Sequence, residues 1–301
     1  MKKCEELYKL DNNGGVRVWY IEYDEEKYRS VSGLIDGKLV TAGWVYPTEK
    51  NIGKKNSTTI AEQVIEEVTS IYKHQLHQGR YHKDINDISK GANFVVCMLA
   101  ATFKEKKHNK FPYIKQPKLD GARCIGVDGM AQSRNGKHFL SVPHIQETIA
   151  EFENDYPGYH LDGELYNHEL KSDFEMLMSI IRKTKNITDA DIEISKNNVF
   201  YYVYDVITPI PMTTEQRINF LRDNVYGKYK HIVEVDTRYV KTKEDLDSEI
   251  LADIENGYEG TMLRTTDSLY VGKRCDDLIK CKTFVDAECL VLDITDGDGV
   301  S

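Results

Sequence analysis

The sequence predicts an α+β fold in which mostly antiparallel sheets carry helices on their faces. Three observations lead there. Short runs of alternating apolar and polar residues are separated by clusters of turn-forming residues. Capping residues open stretches whose apolar positions recur at helical spacing. Strand and helix signals are interspersed without the regular alternation of a parallel sheet. The 301 residues allow about two domains, each able to bury its own core, at the usual ~100–200 residues per domain.

The first strands come from Val16-Arg17-Val18-Trp19-Tyr20-Ile21, Tyr28-Arg29-Ser30-Val31 and Leu39-Val40-Thr41-Ala42. Turn residues punctuate them at Asn12-Asn13-Gly14-Gly15, Asp24-Glu25-Glu26-Lys27 and Asp36-Gly37, the mark of a small antiparallel meander. After a loop at Gly53-Lys54-Lys55-Asn56-Ser57, Thr59-x-x-Glu62 forms a capping box. Ile60, Val64, Val68 and Ile71 then define a helix to about Leu76. His74-x-x-His77-x4-His82 reads as a solvated helix end. A polar stretch from Gly79 to Lys90 separates this module from an apolar segment, Phe94 to Leu99. Further on, Val199-Phe200-Tyr201-Tyr202-Val203-Tyr204 is a strand of β-branched and aromatic residues. Helices are expected at 213–224, opened by Thr213-x-x-Gln216, and at 242–256, capped by Thr242 and stopped by Gly257. Between about residue 118 and these helices the signals are those of strands and turns.

Composition excludes several classes. With 7 Pro and 20 Gly the chain is neither collagenous nor linker-like, and no run reaches the ~18 apolar residues of a membrane span. Met1-Lys2-Lys3-Cys4-Glu5-Glu6 lacks the apolar core of a secretory signal. Six scattered Cys with no CxxC pair read as reduced thiols of a cytoplasmic protein, not as a disulfide framework or zinc site. The net charge of −9 opposes a nucleic-acid partner only on average, because the charge is uneven. Residues 1–90 balance, with 14 Lys/Arg against 14 Asp/Glu. From Lys104 to Lys118 there are six Lys against the single Glu105. Such a strip can follow phosphates within about a Debye length. A solvated linker accounts for it equally well.

The most informative string is Pro117-Lys118-Leu119-Asp120-Gly121-Ala122-Arg123, where a strand runs into a turn. It presents an amine beside an anion, a Gly that lets backbone approach a ligand, and an Arg. At a reference pKa near ~10.4 only about one lysine in ~2,500 is unprotonated at pH 7, equivalent to ~4.6 kcal/mol. A nucleophilic Lys therefore needs nearby cations, a metal or desolvation. On its own the string reads more simply as a surface turn.

It does not stand alone. The string resembles the Lys-x-Asp-Gly-x-Arg nucleotidyl-acceptor motif of the covalent nucleotidyltransferases, which include DNA ligases, RNA ligases and mRNA capping enzymes. The other elements of that superfamily follow in order: Ser133-Arg134-Asn135-Gly136, Leu161-Asp162-Gly163-Glu164-Leu165, Tyr201-Tyr202-Val203-Tyr204-Asp205-Val206, Tyr258-Glu259-Gly260-Thr261-Met262-Leu263-Arg264 and Leu278-Ile279-Lys280-Cys281-Lys282. Six ordered elements over about 165 residues are most similar to an ATP-dependent DNA ligase of the small viral or phage type.

The resemblance implies roles residue by residue. Lys118 would attack the α-phosphorus of ATP and hold AMP, and Asp120 would orient the lysine turn. Gln116 would help read the adenine edge, and Tyr204 would stack on the purine. Glu164 would face the ribose hydroxyls, and Arg123 and Arg134 would contact the nucleotide or the 5′-phosphate of a nick. Glu259, with Glu164, would hold Mg²⁺. Lys280 and Lys282 would hold the α-phosphate. Singly, Tyr204 would be core and the two Glu solvated strand ends; the ordered set reverses that. The implied partner is nicked duplex DNA, with no membrane and no obligate protein partner. An RNA ligase, a capping-type enzyme or a catalytically deficient nucleic-acid-binding fragment remain the alternatives.

The chain then divides into 1–91, a small α+β module, and 92–284, a nucleotidyltransferase (adenylation) domain. Residues 285–301 are expected to be the first strand of an OB-fold, of which the family uses about 80 or more residues. The 1–91 module weakly resembles the N-terminal module of some phage ligases. DNA binding through a WGR-like fold, protein docking and plain stabilisation are all open for it.

Overall fold

The structure, a computed structural model, describes residues 1–11, 14–77, 81–90 and 94–282. The N-terminal sheet is built from β1 (Lys2–Lys3), β2 (Leu7–Leu10), β3 (Val16–Tyr23), β4 (Tyr28–Leu34) and β5 (Val40–Thr41). β3 is its centre, pairing antiparallel with β1, β2 and β4. Strand alternation puts Trp19 and Ile21 on one face, where they pack with Leu7, Val64, Val68 and Tyr81. The helix supplying Val64 and Val68 is α1 (Ile60–His77). The expected capping box opens it: Thr59 N donates to Glu62 at 2.9 Å and Glu62 N donates to Thr59 Oγ1 at 3.3 Å. His82, expected as part of a solvated helix end, is instead buried, its backbone paired with Tyr8 on β2.

Two further five-stranded sheets follow. The elements are β6 (Leu99–Thr102), β7 (Tyr113–Pro117), β8 (Ala122–Val127), β9 (Met130–Ser133), α2 (Pro143–Asp155), β10 (His160–Tyr166), α3 (Phe174–Ile181), α4 (Asp189–Asn198), β11 (Phe200–Ile207), α5 (Thr214–Asn224), β12 (Ile232–Glu234), β13 (Arg238–Val240), α6 (Lys243–Glu255), β14 (Thr261–Thr265) and β15 (Arg274–Cys281). One sheet runs β12-β11-β10-β8-β9 and the other β13-β7-β14-β15-β6. All their pairings are antiparallel except β11 with β12 and β15 with β6. The expected α+β architecture of mostly antiparallel sheets is what forms.

Helices α5 and α6 open at Thr213 and Thr242 as the sequence predicts, α5 with its expected capping box and α6 with a box that Asp245 completes. Three helices depart from the strand reading between 118 and 213. α2 is preceded by Val142, which makes no side-chain cap; its signals are Pro143 at the first turn and the helical spacing of Ile145, Ile149 and Phe152. α3 is capped by Asp173, and α4 by Thr188 with Asp191 where a Glu or Gln is the familiar partner. Ile145, Ile149 and Phe152 of α2 pack with Leu161, Leu165, Tyr201 and Val203 into the largest core cluster. On the second sheet, Leu246 of α6 packs on Tyr113, Val240, Leu263 and Ile279. The expected OB-fold strand at 285–301 lies outside the described residues.

Candidate active site

Lys118 stands where the chain leaves β7 in one sheet and crosses to β8 in the other. The crossing is tight. A Cβ on Gly121 would collide with the Leu165 carbonyl on β10, so only glycine lets the turn lie there. Gly260 has φ +141°, and a Cβ on it would meet the Cys281 carbonyl. Its absence lets the start of β14 close on the end of β15, setting Glu259 between Lys118 and Lys282. Lys118 N donates to Gly260 O at 2.8 Å and Glu259 N donates to Lys118 O at 3.1 Å.

The side chains meet as well. Lys118 Nζ contacts Glu259 Oε2, and Lys282 Nζ contacts Glu259 Oε1. Burial pushes the Lys118 amine below the ordinary lysine value, against the upward pull of Glu164 and Asp120. Burial likewise lowers Lys282, with the Lys118 charge adding to it. Asp120 is exposed and acts on both amines through its charge.

In front of Lys118 lies a cleft of about 260 Å³, close to the lower end of the ~300–1,000 Å³ of small-molecule sites. Gln116, Lys118, Arg123, Arg134, Glu164, Tyr204, Lys280 and Lys282 line it, so the structure brings together eight of the ten residues expected from the sequence. Glu259 reaches it through the two lysines, and Asp120 stays outside. Tyr204 donates its hydroxyl to Glu164 Oε2 at 3.2 Å. Burial pushes the Glu164 carboxyl up to about 7, against Arg123, Lys118 and the Tyr204 hydrogen bond.

Gln116 is 2% exposed and its amide is engaged at both ends. Its oxygen accepts from Arg264 Nε at 2.9 Å, and its nitrogen donates to Tyr204 O at 3.1 Å and Thr237 Oγ1 at 3.2 Å. Arg264 also lines the cleft, and its guanidinium lies 5.6 Å from the centre of the Tyr204 ring. Behind it, Arg264 and Arg217 share the fully buried Asp205, at 2.5 and 2.7 Å. Burial alone would raise the Asp205 carboxyl, but the two guanidiniums outweigh it and hold it below the ordinary range. Arg123 is clamped by Asp162 through two contacts of 2.6 Å, and Asp162 also accepts the Tyr270 hydroxyl at 2.8 Å. Asp162, Asp205 and Arg264 stand inside the motif strings, yet the sequence assigns them no role. Arg217 and Tyr270 lie outside those strings and carry no sequence signal.

A second cavity, about 600 Å³, adjoins the first and shares Arg123, Arg134 and Glu164 with it; Lys137, Arg182 and Thr184 are on its rim. Among the described residues no three His, Cys, Asp or Glu side chains cluster as a protein-only metal site. The five described cysteines are unpaired. No helix of the described residues is long and apolar enough to cross a membrane.

Comparison with known proteins adds the following. Residues 97–282 match the family model described as ATP dependent DNA ligase domain. A DNA ligase of African swine fever virus (isolate Warthog/Namibia/Wart80/1980) is 26% identical over 262 residues, covering 82% of this chain and 59% of the viral protein. The DNA ligase of Enterobacteria phage T4 is 24% identical over 244 residues, covering 65% of this chain and 50% of that protein. This chain thus spans about half to three-fifths of the length of these relatives. Among solved structures, a Chlorella virus DNA ligase-adenylate has a similar fold, with TM-score 0.51 at 21% identity over 64% of this chain and 69% of that one. The ATP-dependent DNA ligase of bacteriophage T7, in complex with ATP, has TM-score 0.51 at 18% identity over 62% of this chain and 68% of that one.

Proposed function

The chain belongs to the family of ATP dependent DNA ligase domains, and we propose that it adenylates itself on Lys118 and uses that AMP to seal nicks in duplex DNA. The observation that carries this is the shared carboxylate: Glu259 touches both Lys118 and Lys282 at the mouth of a cleft lined by Gln116, Tyr204 and Arg264. In the first step the neutral Lys118 amine attacks the α-phosphorus of ATP. A P–N bond forms, the bond from the α-phosphorus to the bridging oxygen breaks, and pyrophosphate leaves with that electron pair. The proton shed by the nitrogen has an acceptor in contact, Glu259 Oε2. In the second step an oxygen of the 5′-phosphate attacks the same phosphorus and the lysine leaves with a proton. In the third, the 3′-hydroxyl oxygen attacks the 5′-phosphorus, the bond from that phosphorus to the bridging AMP oxygen breaks, AMP leaves with the electron pair, and the hydroxyl proton passes to solvent.

The remaining residues bind and orient. Tyr204 offers the purine a ring, and Gln116 and Arg264 fix the wall around it. Lys280 and Lys282 face the α-phosphate, where negative charge builds. We assign the adjoining cavity, rimmed by Arg134, Lys137 and Arg182, to the phosphate-bearing end of the nick. Mg²⁺ is held in most phosphate chemistry by one or two carboxylates plus phosphate oxygens, and Glu259 and Glu164 offer that donor set. When bound it would draw charge from the phosphates. We take residues 92–284 as the catalytic domain and 1–91 as an accessory module, working in the cytoplasm.

Incubation with ATP and Mg²⁺ should add the mass of one AMP to the protein, and Lys118→Ala should abolish the gain while the fold persists. Nicked duplex DNA should then be joined, with nicked RNA as the contrast. A mass gain retained by Lys118→Ala would overturn the assignment.

A further inference from the structure

Four lysines sit on an anchored turn that the nucleotide chemistry does not use. Lys104, Lys106, Lys107 and Lys110 are exposed, and the turn closes through the Lys107 and His108 N–H groups, each donating to Lys104 O at 2.9 Å. Beneath it His108 is 3% exposed. Its Nδ1 accepts the Lys104 N–H at 2.9 Å, its Nε2 lies 3.3 Å from Asp276 Oδ1, and its ring packs on Phe103 at 5.7 Å. A buried imidazole fixes the shape of this turn, which a solvated linker would not require. Asp276 also takes Lys107 Nζ at 2.6 Å. Glu105, the acidic residue of the segment, makes no ion pair with these lysines among the described residues. Among the described residues Lys104, Lys106 and Lys110 have no ion pair, so three positive charges stand together.

Their position relates them to the site. β6 runs parallel to β15 with Thr102 opposite Lys280, and Phe103 N donates to Lys280 O at 3.0 Å. Lys104 follows two residues after Thr102, about 7 Å further at the ~3.3 Å rise of a strand. It therefore leaves the sheet at the end where Lys280 and Lys282 face the cleft. The turn thus begins beside the lysine-bearing end of β15.

We propose that the turn 104–110 is a contact surface for the phosphate backbone of duplex DNA beside the nick, with Lys104, Lys106 and Lys110 each meeting one phosphate. This rests on the DNA-joining function proposed above. β6 is an edge strand, and lysines beside an edge can instead serve to block strand pairing between copies of the chain. The two roles separate in one experiment. Binding of a nicked duplex is measured between 50 and 200 mM salt, with EDTA present, for the full chain and for Lys104→Ala/Lys106→Ala/Lys110→Ala. Each lost phosphate contact removes about 0.9 from the slope of log K against log salt, so the slope should fall by about 2 to 3 in the triple variant. AMP loading, measured on the same preparations by mass, should be unchanged, and a Lys→Arg triple variant should keep the original slope. An unchanged slope in the alanine variant, with or without aggregation, would overturn the surface while leaving the DNA-joining function standing. Absence of DNA binding by the unaltered chain would overturn both.

Discussion

Lys118 and Glu259 hold each other twice, through the backbone and through the side chains. Hydrogen bonds of 3.1 Å (Glu259 N to Lys118 O) and 2.8 Å (Lys118 N to the adjacent Gly260 O) extend the β7–β14 ladder past the strand ends. The amine and the carboxylate are thus fixed by the end of an interior strand pair and not by two flexible side chains alone. A nucleophile needs such placement, because a well-held reacting geometry supplies much of the rate in phosphoryl-type transfer. The arrangement also stores a choice: Glu259 touches both Lys118 and Lys282, and in the proposed reaction an incoming phosphate competes with it for both amines.

Tyr204→Ala should weaken ATP binding while leaving AMP loading measurable. Stacking on an aromatic ring contributes about 1–3 kcal/mol per base, which is roughly a 5- to 150-fold loss of affinity. Truncation also removes the 3.2 Å hydrogen bond to Glu164 and the ring beside Arg123 and Arg264. Titrating the loading rate with ATP separates the effects: the half-saturating concentration should rise while the rate at saturation survives. An unchanged half-saturating concentration would make Tyr204 a core residue only.

How far the sequence reached follows from the kind of signal each part leaves. The N-terminal meander and α1, α5 and α6 were legible because alternation and Thr-led capping boxes are local patterns. α2 lacks such a box, since Val142 carries no capping oxygen, and only Pro143 and the helical spacing of Ile145, Ile149 and Phe152 mark it. In the site, Lys118, Glu164, Tyr204 and Glu259 stood in recognisable strings. The residues that position them did not. Arg217 is 0% exposed and 12 positions from Asp205, and nothing in its neighbours foretells that pairing. Lys115 belongs to the lysine strip whose charge suits phosphate tracking and a solvated linker equally, yet it is buried against Asp253 at 2.6 Å, tying β7 to α6. Long-range charge pairing is made by topology, which spacing along the chain does not encode.

Asp205→Asn should be among the more damaging single changes to stability. It leaves Arg264 and Arg217, both buried, without their shared counter-charge. Removing one partner of a buried ion pair costs about 3–5 kcal/mol. Urea unfolding should show that loss, against a small effect for Lys118→Ala. Equal stability of the two variants would mean that Arg217 and Arg264 find other acceptors, such as the Met212 and Ser268 carbonyls that Arg217 already touches at 2.8 and 3.1 Å.

Glu164 should make stability depend on pH in the neutral range. Its folded value of about 7 lies above its ordinary 4.5, with burial the main cause. The folded chain therefore holds a proton that the unfolded chain has released. This contribution is complete below about pH 4.5 and is lost as pH rises through about 7. Between pH 5 and 8 the unaltered protein should lose stability relative to Glu164→Gln, on the order of 1–3 kcal/mol. Parallel urea midpoints for the two across that range would contradict it.

Glu259→Gln and Lys282→Ala should move the pH dependence of AMP loading in opposite directions. In the proposed first step only the neutral Lys118 amine attacks, so the loading rate should rise with pH as the ammonium loses its proton. In Glu259→Gln the amine loses an anion in direct contact and keeps the Lys282 charge nearby. Its ammonium form is then less favoured, and the rising limb should move to lower pH. In Lys282→Ala the amine keeps the carboxylate and loses a positive neighbour, so the limb should move to higher pH. Both variants should also load more slowly, because in the proposed first step Glu259 accepts the proton and Lys282 faces the α-phosphate. Removing one such preorganised group typically costs about 100- to 1,000-fold. The amplitude alone would not distinguish chemistry from loss of structure, whereas the sign of the shift does. Loading rates at saturating ATP between pH 6 and 9.5 measure it. Limbs that stay in place, or that move the same way in both variants, would show that Glu259 does not mediate between the two lysines.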